Sequence, residues 1–337
     1  MRPFRNLPLL ATVAVFVAGY GLCAAQYPKM LSLRVGADLL TDSAFLGVLA
    51  VGMTFVVISG GLDLSVGAVM GLSSVLVAVA ITRWGVPPLT AFAAVLALGT
   101  AYGALLGAAI HLLKAPAFIV TLTAMFLARG VGFLITTEAV PIDHPLPAAL
   151  AEMAWRLPGG GRLTLLAAIM LAAFALGGIL LHATRFGANV FALGGDRRAA
   201  ELVGVPVGRT TVAVYALSGA MAALAGVVIS IYTRAGYPLT GVGVELDAIA
   251  AVVIGGALLT GGAGTMLGAL FGVLIQGLIG TYITFDGTLS SWWTKIVIGG
   301  LLFAFIGLQK LILRAPALAA GARGAAAPHD PRRVDRP

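Results

Sequence analysis

The chain has 337 residues, of which 60% are hydrophobic and only 10% are charged. A mean hydropathy of +1.03 excludes an ordinary soluble protein, because most of such a surface needs lipid as its solvent. The net charge of +8 does not indicate nucleic-acid binding, since no basic stripe with interleaved aromatic residues lies on a soluble segment. Composition therefore predicts one all-α, polytopic membrane domain.

Apolar stretches of about 20 residues, the length that crosses the hydrocarbon core, recur along the whole chain. Hydropathy and the Gly, Pro and charge punctuation predict ten transmembrane helices. Their expected ranges are residues 7–25, 44–59, 64–82, 89–112, 117–136, 163–182, 210–232, 246–261, 264–284 and 294–313. Arg2 and Arg5 precede the first range in the manner of a signal peptide, but we expect an uncleaved span.

The basic residues favour one orientation of these helices. With the N-terminus inside, 13 of the 21 Lys and Arg residues fall on cytoplasmic segments, seven fall outside and Arg129 falls within a span. The positive-inside rule then places both termini in the cytoplasm. We expect the membrane domain over residues 1–314 and a disordered basic cytoplasmic tail over residues 315–337.

Two pairs of similar strings suggest an internal duplication. GTAYGALLGAAI at 99–110 matches GTMLGALFGVLI at 264–275, and LDLSVGAVMG at 62–71 is more weakly similar to LDAIAAVVIG at 246–255. Each pair is displaced by five spans, which predicts an inverted five-helix repeat; chance likeness between glycine-rich helices is the alternative. The first pair carries small residues at four-residue spacing, expected to pack helices closely: Gly99, Gly103, Gly107, Gly264, Gly268 and Gly272.

The string SGGLDLSVG at 59–67 interrupts two apolar spans. Its paired glycines disfavour helix, and Asp63 is a suitable N-cap for the helix that follows. One interpretation is a broken helix at membrane depth that lines a solute passage. The other is a tight cytoplasmic turn, in which Asp63 only caps a helix.

Arg129 is the basic residue that falls well inside a predicted span, so its charge needs a partner or water. It is a candidate for the transport pathway, either hydrogen-bonded to sugar hydroxyls or paired with Asp247. A structural ion pair or a contact with backbone carbonyls is the alternative.

Trp292 and its neighbour Trp293 follow TLSS at the outer end of the last span. They fit an interfacial aromatic belt, and stacking on a sugar is the second interpretation.

The segment GGDRRAAELVGVP at 194–206 has the signals of a complete short cytoplasmic helix. Asp196 is the expected N-cap, Gly204 suits the position after the helix and Pro206 prevents continuation. Its body carries Arg197, Arg198 and Glu201 together with an apolar face of Ala199, Leu202 and Val203. Such a helix fits a groove on a partner protein, or it lies on lipid headgroups.

Several kinds of chemistry are absent from the sequence. It contains no phosphate-binding loop with the G-x-x-x-x-G-K-[ST] pattern, so the chain has no ATPase site of that type. His111, His144, His182 and His329 are scattered, which makes a metal site an unfavoured interpretation. A secondary transporter would need buried carboxylates, and only Asp63 and Asp247 are suitably placed.

The strings GMTFVVISGGLDLSVG at 52–67, ALGGDRRAAELVGVPV at 192–207 and GVELDAIAAVVIGGALLTGGAGT at 243–265 resemble those of the ribose-type ABC sugar importer permeases. Within that family, the segments at 156–163 and 281–296 are similar to one of the two galactofuranose importer permeases. The segment at 231–250 shares this similarity.

The resemblance implies a permease of the bacterial inner membrane that imports a monosaccharide, and not an enzyme. It implies three protein partners besides membrane lipid: a tandem ABC ATPase, a second homologous permease and a periplasmic sugar-binding protein. ATP and Mg would be bound by the ATPase, and this chain would hold no cofactor. The helix from Asp196 to Pro206 would then be the coupling helix seated on the ATPase.

Overall fold

The computed structural model describes residues 7–290 and 292–307. This part of the chain is largely helical, with one 3-10 turn (Pro28–Leu31) and four very short strands. The helices are α1 (Leu7–Gln26), α2 (Leu33–Asp42), α3 (Ala44–Ile58), α4 (Val66–Thr82), α5 (Pro88–Leu112), α6 (Ala117–Ile135), α7 (Pro145–Glu152), α8 (Leu165–Ala183), α9 (Arg185–Gly195), α10 (Arg197–Leu202), α11 (Val207–Thr233), α12 (Val244–Ile254), α13 (Met266–Asp286) and α14 (Trp292–Gly307).

The described helices support a multi-pass membrane protein. Six of them are long and apolar enough to cross a bilayer, and a seventh span results if α2 and α3, which meet at a bend of 57°, count as one. Two shorter apolar helices, α4 and α14, occupy predicted ranges. The count of ten spanning helices therefore remains a prediction.

The expected span at 246–261 is wrong in its extent. Helix α12 has only 11 residues, about 16 Å at a rise of about 1.5 Å per residue, roughly half of the hydrocarbon core of about 30 Å. It ends before Gly255 and Gly256, and Gly256 has a φ of +90° that an ordinary helix cannot contain. The sequence contains enough apolar residues for a span, but the glycines turn the chain back.

The structure adds elements that the all-α prediction omits. Strand β1 (Val140–Pro141) pairs antiparallel with β4 (Ala235–Gly236), and β2 (Ala154–Arg156) pairs antiparallel with β3 (Arg162–Thr164). Strands of two or three residues are too short to produce a recognisable alternation of apolar and polar side chains. Helices α7 and α9, which lie outside the predicted spans, were also not expected.

Helix α11 is the centre of the helical bundle. It has 27 residues and packs against α3, α4 and α5. A Cβ atom on Gly103 of α5 would overlap the carbonyl oxygen of Tyr215 in α11 and lie 3.1 Å from the amide nitrogen of Gly219. The two helices therefore meet backbone to backbone, an approach that small residues permit.

The glycines predicted for helix packing occupy two separate contacts. Gly99, Gly103 and Gly107 face α11, Gly268 and Gly272 face α12, and Gly264 lies in the turn before α13. The string at 62–71 begins in the segment before α4, whereas the string at 246–255 lies in α12 and its C-cap. The inverted five-helix repeat remains a prediction.

Some predictions concern residues that the structure does not describe. The tail over residues 315–337, residues 1–6 and the end of the expected span at 294–313 lie outside the described residues. The disordered tail and the cytoplasmic position of both termini therefore remain predictions.

We expect Gly103→Ala to destabilise the protein, because the new methyl group meets backbone atoms of α11 that no rotamer change can move. The cost of such overpacking is about 1–3 kcal/mol. Gly21→Ala in α1 is the matched control, since a Cβ there meets nothing within 4 Å. The thermal unfolding temperature of the detergent-solubilised protein measures both effects, and an equal response of the two variants would contradict this account of the α5–α11 contact.

Candidate functional site

The segment between α3 and α4 carries a fully buried carboxylate. Asp63 is 1% exposed, and its Oδ1 accepts hydrogen bonds from the Ser65 amide at 3.0 Å and the Ser65 hydroxyl at 2.6 Å. Its Oδ2 accepts a hydrogen bond from the Ser218 hydroxyl at 2.7 Å. The bond from the Ser65 amide is the one that an N-cap side chain makes at the start of a helix, as predicted for Asp63, whereas Ser65 makes no side-chain cap bond to α4.

The backbone of this segment is held by side chains from other helices. The Leu62 carbonyl accepts a hydrogen bond from the Tyr215 hydroxyl at 3.2 Å and a longer one from the Thr121 hydroxyl at 3.4 Å. Ser218 lies near the middle of the 27-residue helix α11, so Asp63 lies far from either end of that helix. The two interpretations of this segment, a broken span that lines a passage and a cytoplasmic turn, both remain predictions.

A second irregular segment precedes α12 and is held by Arg129. The guanidinium Nη1 of Arg129 donates hydrogen bonds to the carbonyls of Pro238 at 2.8 Å and Thr240 at 3.1 Å. The expected pair between Arg129 and Asp247 is wrong, whereas the alternative contact with backbone carbonyls is present. The guanidinium of Arg129 therefore supplies the hydrogen-bond donors that these two carbonyls would otherwise find in a helix or strand.

The first turn of α12 carries an ion pair with α14. The ammonium of Lys295 lies 2.7 Å from Oδ1 and 2.5 Å from Oδ2 of Asp247. The Asp247 carbonyl also accepts a hydrogen bond at 2.9 Å from the side-chain amide of Gln276. Gln276 is the middle residue of the 21-residue helix α13, so α12 begins halfway along a membrane-crossing helix.

Glu245, also in the first turn of α12, is 8% exposed. Its Oε1 accepts a hydrogen bond from the Gly243 amide at 3.2 Å. Its Oε2 points at Gly67 of α4. In the described part of the chain, this oxygen is the only buried polar side-chain atom that has no hydrogen-bond partner. An unpaired carboxylate oxygen in such a place is costly.

Sequence reasoning missed Glu245, Lys295, Tyr215 and Ser218. Glu245 lies two residues before Asp247, directly before the repeated string at 246–255. The helical period of 3.6 residues does not show which of these two acidic side chains is buried. Tyr215 and Ser218 are polar residues within a predicted span, and this was the available signal for them.

The predicted cytoplasmic helix is present as α10. The Asp196 carboxylate accepts hydrogen bonds from the amides of Arg198 at 2.8 Å and Ala199 at 3.0 Å, the geometry of an N-cap. The helix ends at Leu202, Val203 is the C-cap and Gly204 has a φ of +84°. Helix α11 begins immediately after Pro206.

The apolar face of α10 is presented outward. Leu202 is 88% exposed and Val203 is 78% exposed, while Ala199 and the charged residues Arg197, Arg198 and Glu201 are exposed as well. Ala200 alone in this helix is buried, and it packs with Leu193 and Val207. The single inward residue anchors α10, and its outer face is not covered by any described residue.

A groove of about 660 Å³ adjoins α10. It is largely apolar and is lined by the end of α5 and the start of α11, including Leu112, Pro206 and Val212. His111 also lines it and lies 3.4 Å from the guanidinium of Arg197 through its Nδ1. Glu201 is the residue of α10 that lines the groove.

Two glycine-rich turns meet the end of α9 beside α10 in what we term the glycine junction, formed by Gly60, Gly194 and Gly262. The Gly262 amide donates a hydrogen bond at 2.8 Å to the carbonyl of Ile58, the last residue of α3. A Cβ on Gly194 of α9 would overlap that carbonyl and lie 2.6 Å from the Gly262 nitrogen. The junction therefore joins the turns that follow α3 and α12 to the helix that leads into α10.

Trp292 is 75% exposed at the first residue of α14, and Trp293 beside it is exposed to a lesser degree. Both proposed roles, an interfacial belt and contact with a sugar, are compatible with that exposure. Among the described residues, no group of three or more His, Cys, Asp and Glu side chains is arranged to hold a metal ion.

Comparison with known proteins gives matches over nearly the whole chain. The family described as branched-chain amino acid transport system / permease component matches residues 36–306. The inner membrane ABC transporter permease protein YjfF of Escherichia coli is 57% identical over 91% of this chain and 92% of its own length. The fructose import permease protein FruG of Bifidobacterium longum is 34% identical, with 92% of each chain covered.

The ribose import permease protein RbsC of Escherichia coli is 36% identical over 80% of this chain and 84% of its own length. No solved structure gives a significant match to this chain.

We expect Ser218→Ala to destabilise the protein by about 1–3 kcal/mol, because it leaves the buried Oδ2 of Asp63 without a donor. Ser230→Ala in the same helix is the matched control: Ser230 is equally buried, but its hydroxyl donates to Val227 in its own helix. The thermal unfolding temperature in detergent is the measurement. Similar losses for both serines would show that the Asp63 contact has no special weight.

Proposed function

Because the chain belongs to the family of branched-chain amino acid transport system permease components, we propose that it is the membrane-spanning half of an ATP-driven importer of a monosaccharide, with galactofuranose as the sugar. The family match over residues 36–306 makes the chain a multi-pass permease of the inner membrane and not an enzyme. The resemblance to the ribose-type sugar importer permeases is confirmed at this level.

A monosaccharide is favoured by the names of the relatives, which include import permeases for fructose and ribose and a xylose transport permease. The choice of galactofuranose rests on the likeness of segments 156–163, 231–250 and 281–296 to one galactofuranose permease. The segment at 231–250 includes the Arg129-held backbone and the first turn of α12. This segment of the likeness therefore includes part of the irregular backbone before α12.

The proposed assembly contains four kinds of subunit. The chain pairs with a second, homologous permease, and a tandem ABC ATPase on the cytoplasmic side binds ATP and Mg. A periplasmic binding protein delivers the sugar. The chain itself needs no cofactor, since its contribution is mechanical.

The surface formed by α10 and the adjacent groove is proposed as the seat of the ATPase. The exposed Leu202 and Val203 give it the apolar face that a partner groove would bury. Movement of α10 would reach α9 and then the glycine junction, where it would displace the ends of α3 and α12 together. In this way, closure of the ATPase would alter the packing of the two irregular segments at mid-depth.

An ion-coupled secondary transporter is the less favoured function. Its candidate carboxylates have partners in the structure, because Asp63 is hydrogen-bonded to two serines and Asp247 is paired with Lys295. The relatives described above are named as permeases of ABC or import systems.

We expect Leu202→Asp to abolish sugar import without loss of membrane insertion, because the side chain is exposed and contributes little to the fold. Leu202→Met is the matched control and should retain import, since it keeps an apolar side chain of similar size. Uptake by cells and co-purification of the ATPase are measured for both variants. Normal uptake with Leu202→Asp would contradict the coupling role of α10.

Restoring this chain to cells that lack it should restore uptake of labelled galactofuranose. Unlabelled galactofuranose should compete, whereas ribose and galactose in equal excess should not. If ribose competes and galactofuranose does not, the permease function stands and the proposed sugar is wrong. Uptake that persists without any ATPase would overturn the ABC mechanism.

A further inference from the structure

Four charged side chains gather around the start of α12. Arg129 comes from α6, Glu245 and Asp247 belong to the first turn of α12, and Lys295 comes from α14. Arg129 and Glu245 face Gly71 and Gly67, which lie one helical turn apart on α4. The group contains two acids and two bases, so it carries no net charge.

This group lies within the depth of the bundle. The Asp247 carbonyl is bonded to Gln276, the middle residue of α13, and Arg129 lies within the 19-residue helix α6. Charged side chains at such depth face either the bundle interior or a water-filled cavity, because hydrocarbon does not solvate them. The location of each charge therefore indicates what surrounds it.

The described residues leave the surface around the start of α12 uncovered. Val242 is 61% exposed and Leu246 is 60% exposed, and both lie in or next to the irregular stretch that Arg129 holds. The side chain of Lys295 is 53% exposed. Irregular backbone at membrane depth is tolerated only where protein covers it or water reaches it, so this surface does not face lipid.

Water is the better explanation for this surface. A covering protein would have to supply acceptors for the half-exposed ammonium of Lys295, whose only acceptors in the described part of the chain are the two oxygens of Asp247. Water supplies them without further requirement. The balanced charge also disfavours an ion as the occupant, since neither sign predominates.

We propose that residues 238–247, together with Arg129 and Lys295, form a binding site for a neutral, polyhydroxylated solute halfway along the passage. This assignment rests on the proposed transport function and adds the residues that contact the solute. A polyol offers hydroxyl donors to the carboxylates of Glu245 and Asp247, and hydroxyl acceptors to the ammonium of Lys295.

Glu245 gives the site a dependence on conformation. Its Oε2 has no hydrogen-bond partner among the described residues, although its charge interacts with that of Arg129, and it is sealed against Gly67. A solute hydroxyl therefore reaches it only when the first turns of α12 and α4 separate. The unpaired oxygen destabilises the sealed arrangement, and a bound hydroxyl stabilises the open one. Solute binding and the opening of this contact are therefore coupled.

Thiol labelling of the assembled transporter in whole cells tests whether water reaches the site. Cys23, the single cysteine of the chain, is replaced by alanine, and a new cysteine is placed at Val242. The matched control is Leu176→Cys, an exposed position within α8. We expect a charged, membrane-impermeant methanethiosulfonate to modify Val242→Cys at least about tenfold faster than Leu176→Cys, because only a solvated thiol ionises.

Two labelling results would overturn the site. If Val242→Cys is not modified but forms a disulfide with a matching cysteine on the second permease, the surface is a subunit interface. If it neither reacts nor cross-links, the surface is sealed in another way. This experiment uses no sugar, so its outcome is independent of whether galactofuranose is the solute.

Uptake kinetics test the contact with the solute. Glu245→Gln replaces the acceptor pair by an amide of the same shape, and we expect it to raise the KM for labelled galactofuranose about tenfold or more. Glu152→Gln, at an exposed glutamate in α7, should leave the KM unchanged. A lower maximal rate with unchanged KM would assign Glu245 a structural role and overturn its place in the site. Failure of the unaltered protein to import the sugar would instead contradict the proposed function.

Discussion

The need to satisfy backbone hydrogen bonds away from water determines how this chain is built. Two segments, at 59–65 and 237–243, are not helical although they lie among membrane-crossing helices, and their carbonyls cannot rely on neighbouring turns. The Leu62 carbonyl is served by Tyr215, and the carbonyls of Pro238 and Thr240 are served by Arg129. These side chains make irregular backbone possible at a depth where lipid could not.

Helix α11 provides the fixed frame for the first of these segments. Tyr215 and Ser218 reach it from a stretch of α11 whose backbone is in direct contact with Gly103 of α5, at Tyr215, and with Gly52 of α3, at Ser218. Any larger residue at the contact would push α11 away from α5 and disturb the hydrogen bonds to Leu62 and Asp63. The hydrogen bonds to the irregular segment therefore depend on the close packing of α11 against its neighbours.

The glycine junction connects that frame to the cytoplasmic surface. Ile58, Gly194 and Gly262 belong to three different parts of the chain, yet their backbones are in direct contact. Because Gly194 and Gly262 have no side chains, the backbone of α9 lies directly against the end of α3 and the turn that follows α12. We therefore expect a displacement of α9 to move both. Under the proposed function, a displacement of α10 would reach the segment after α3 directly and the segment before α12 only through the length of α12.

The sequence by itself determined the membrane class, the positions of most apolar helices and the short helix α10. These follow from local properties: apolar length, the N-cap preference of Asp196 and the helix-ending effect of Gly204 and Pro206. The string at 59–67 was also recognised as irregular, because paired glycines act locally. Family membership follows from the same residues through comparison.

The tertiary structure decided which charges meet and how far each helix extends. Asp247 pairs with Lys295 and not with Arg129, and Glu245 is buried while its neighbour is not; these outcomes depend on helices remote in sequence. Likewise, hydropathy did not show that α12 stops halfway, because Ala257, Leu258 and Leu259 continue the apolar stretch beyond the glycines that end the helix. Which charged side chains pair, and how deep in the bundle a helix begins, depend on three-dimensional packing. The hydrophobic period of a single helix carries no information on either.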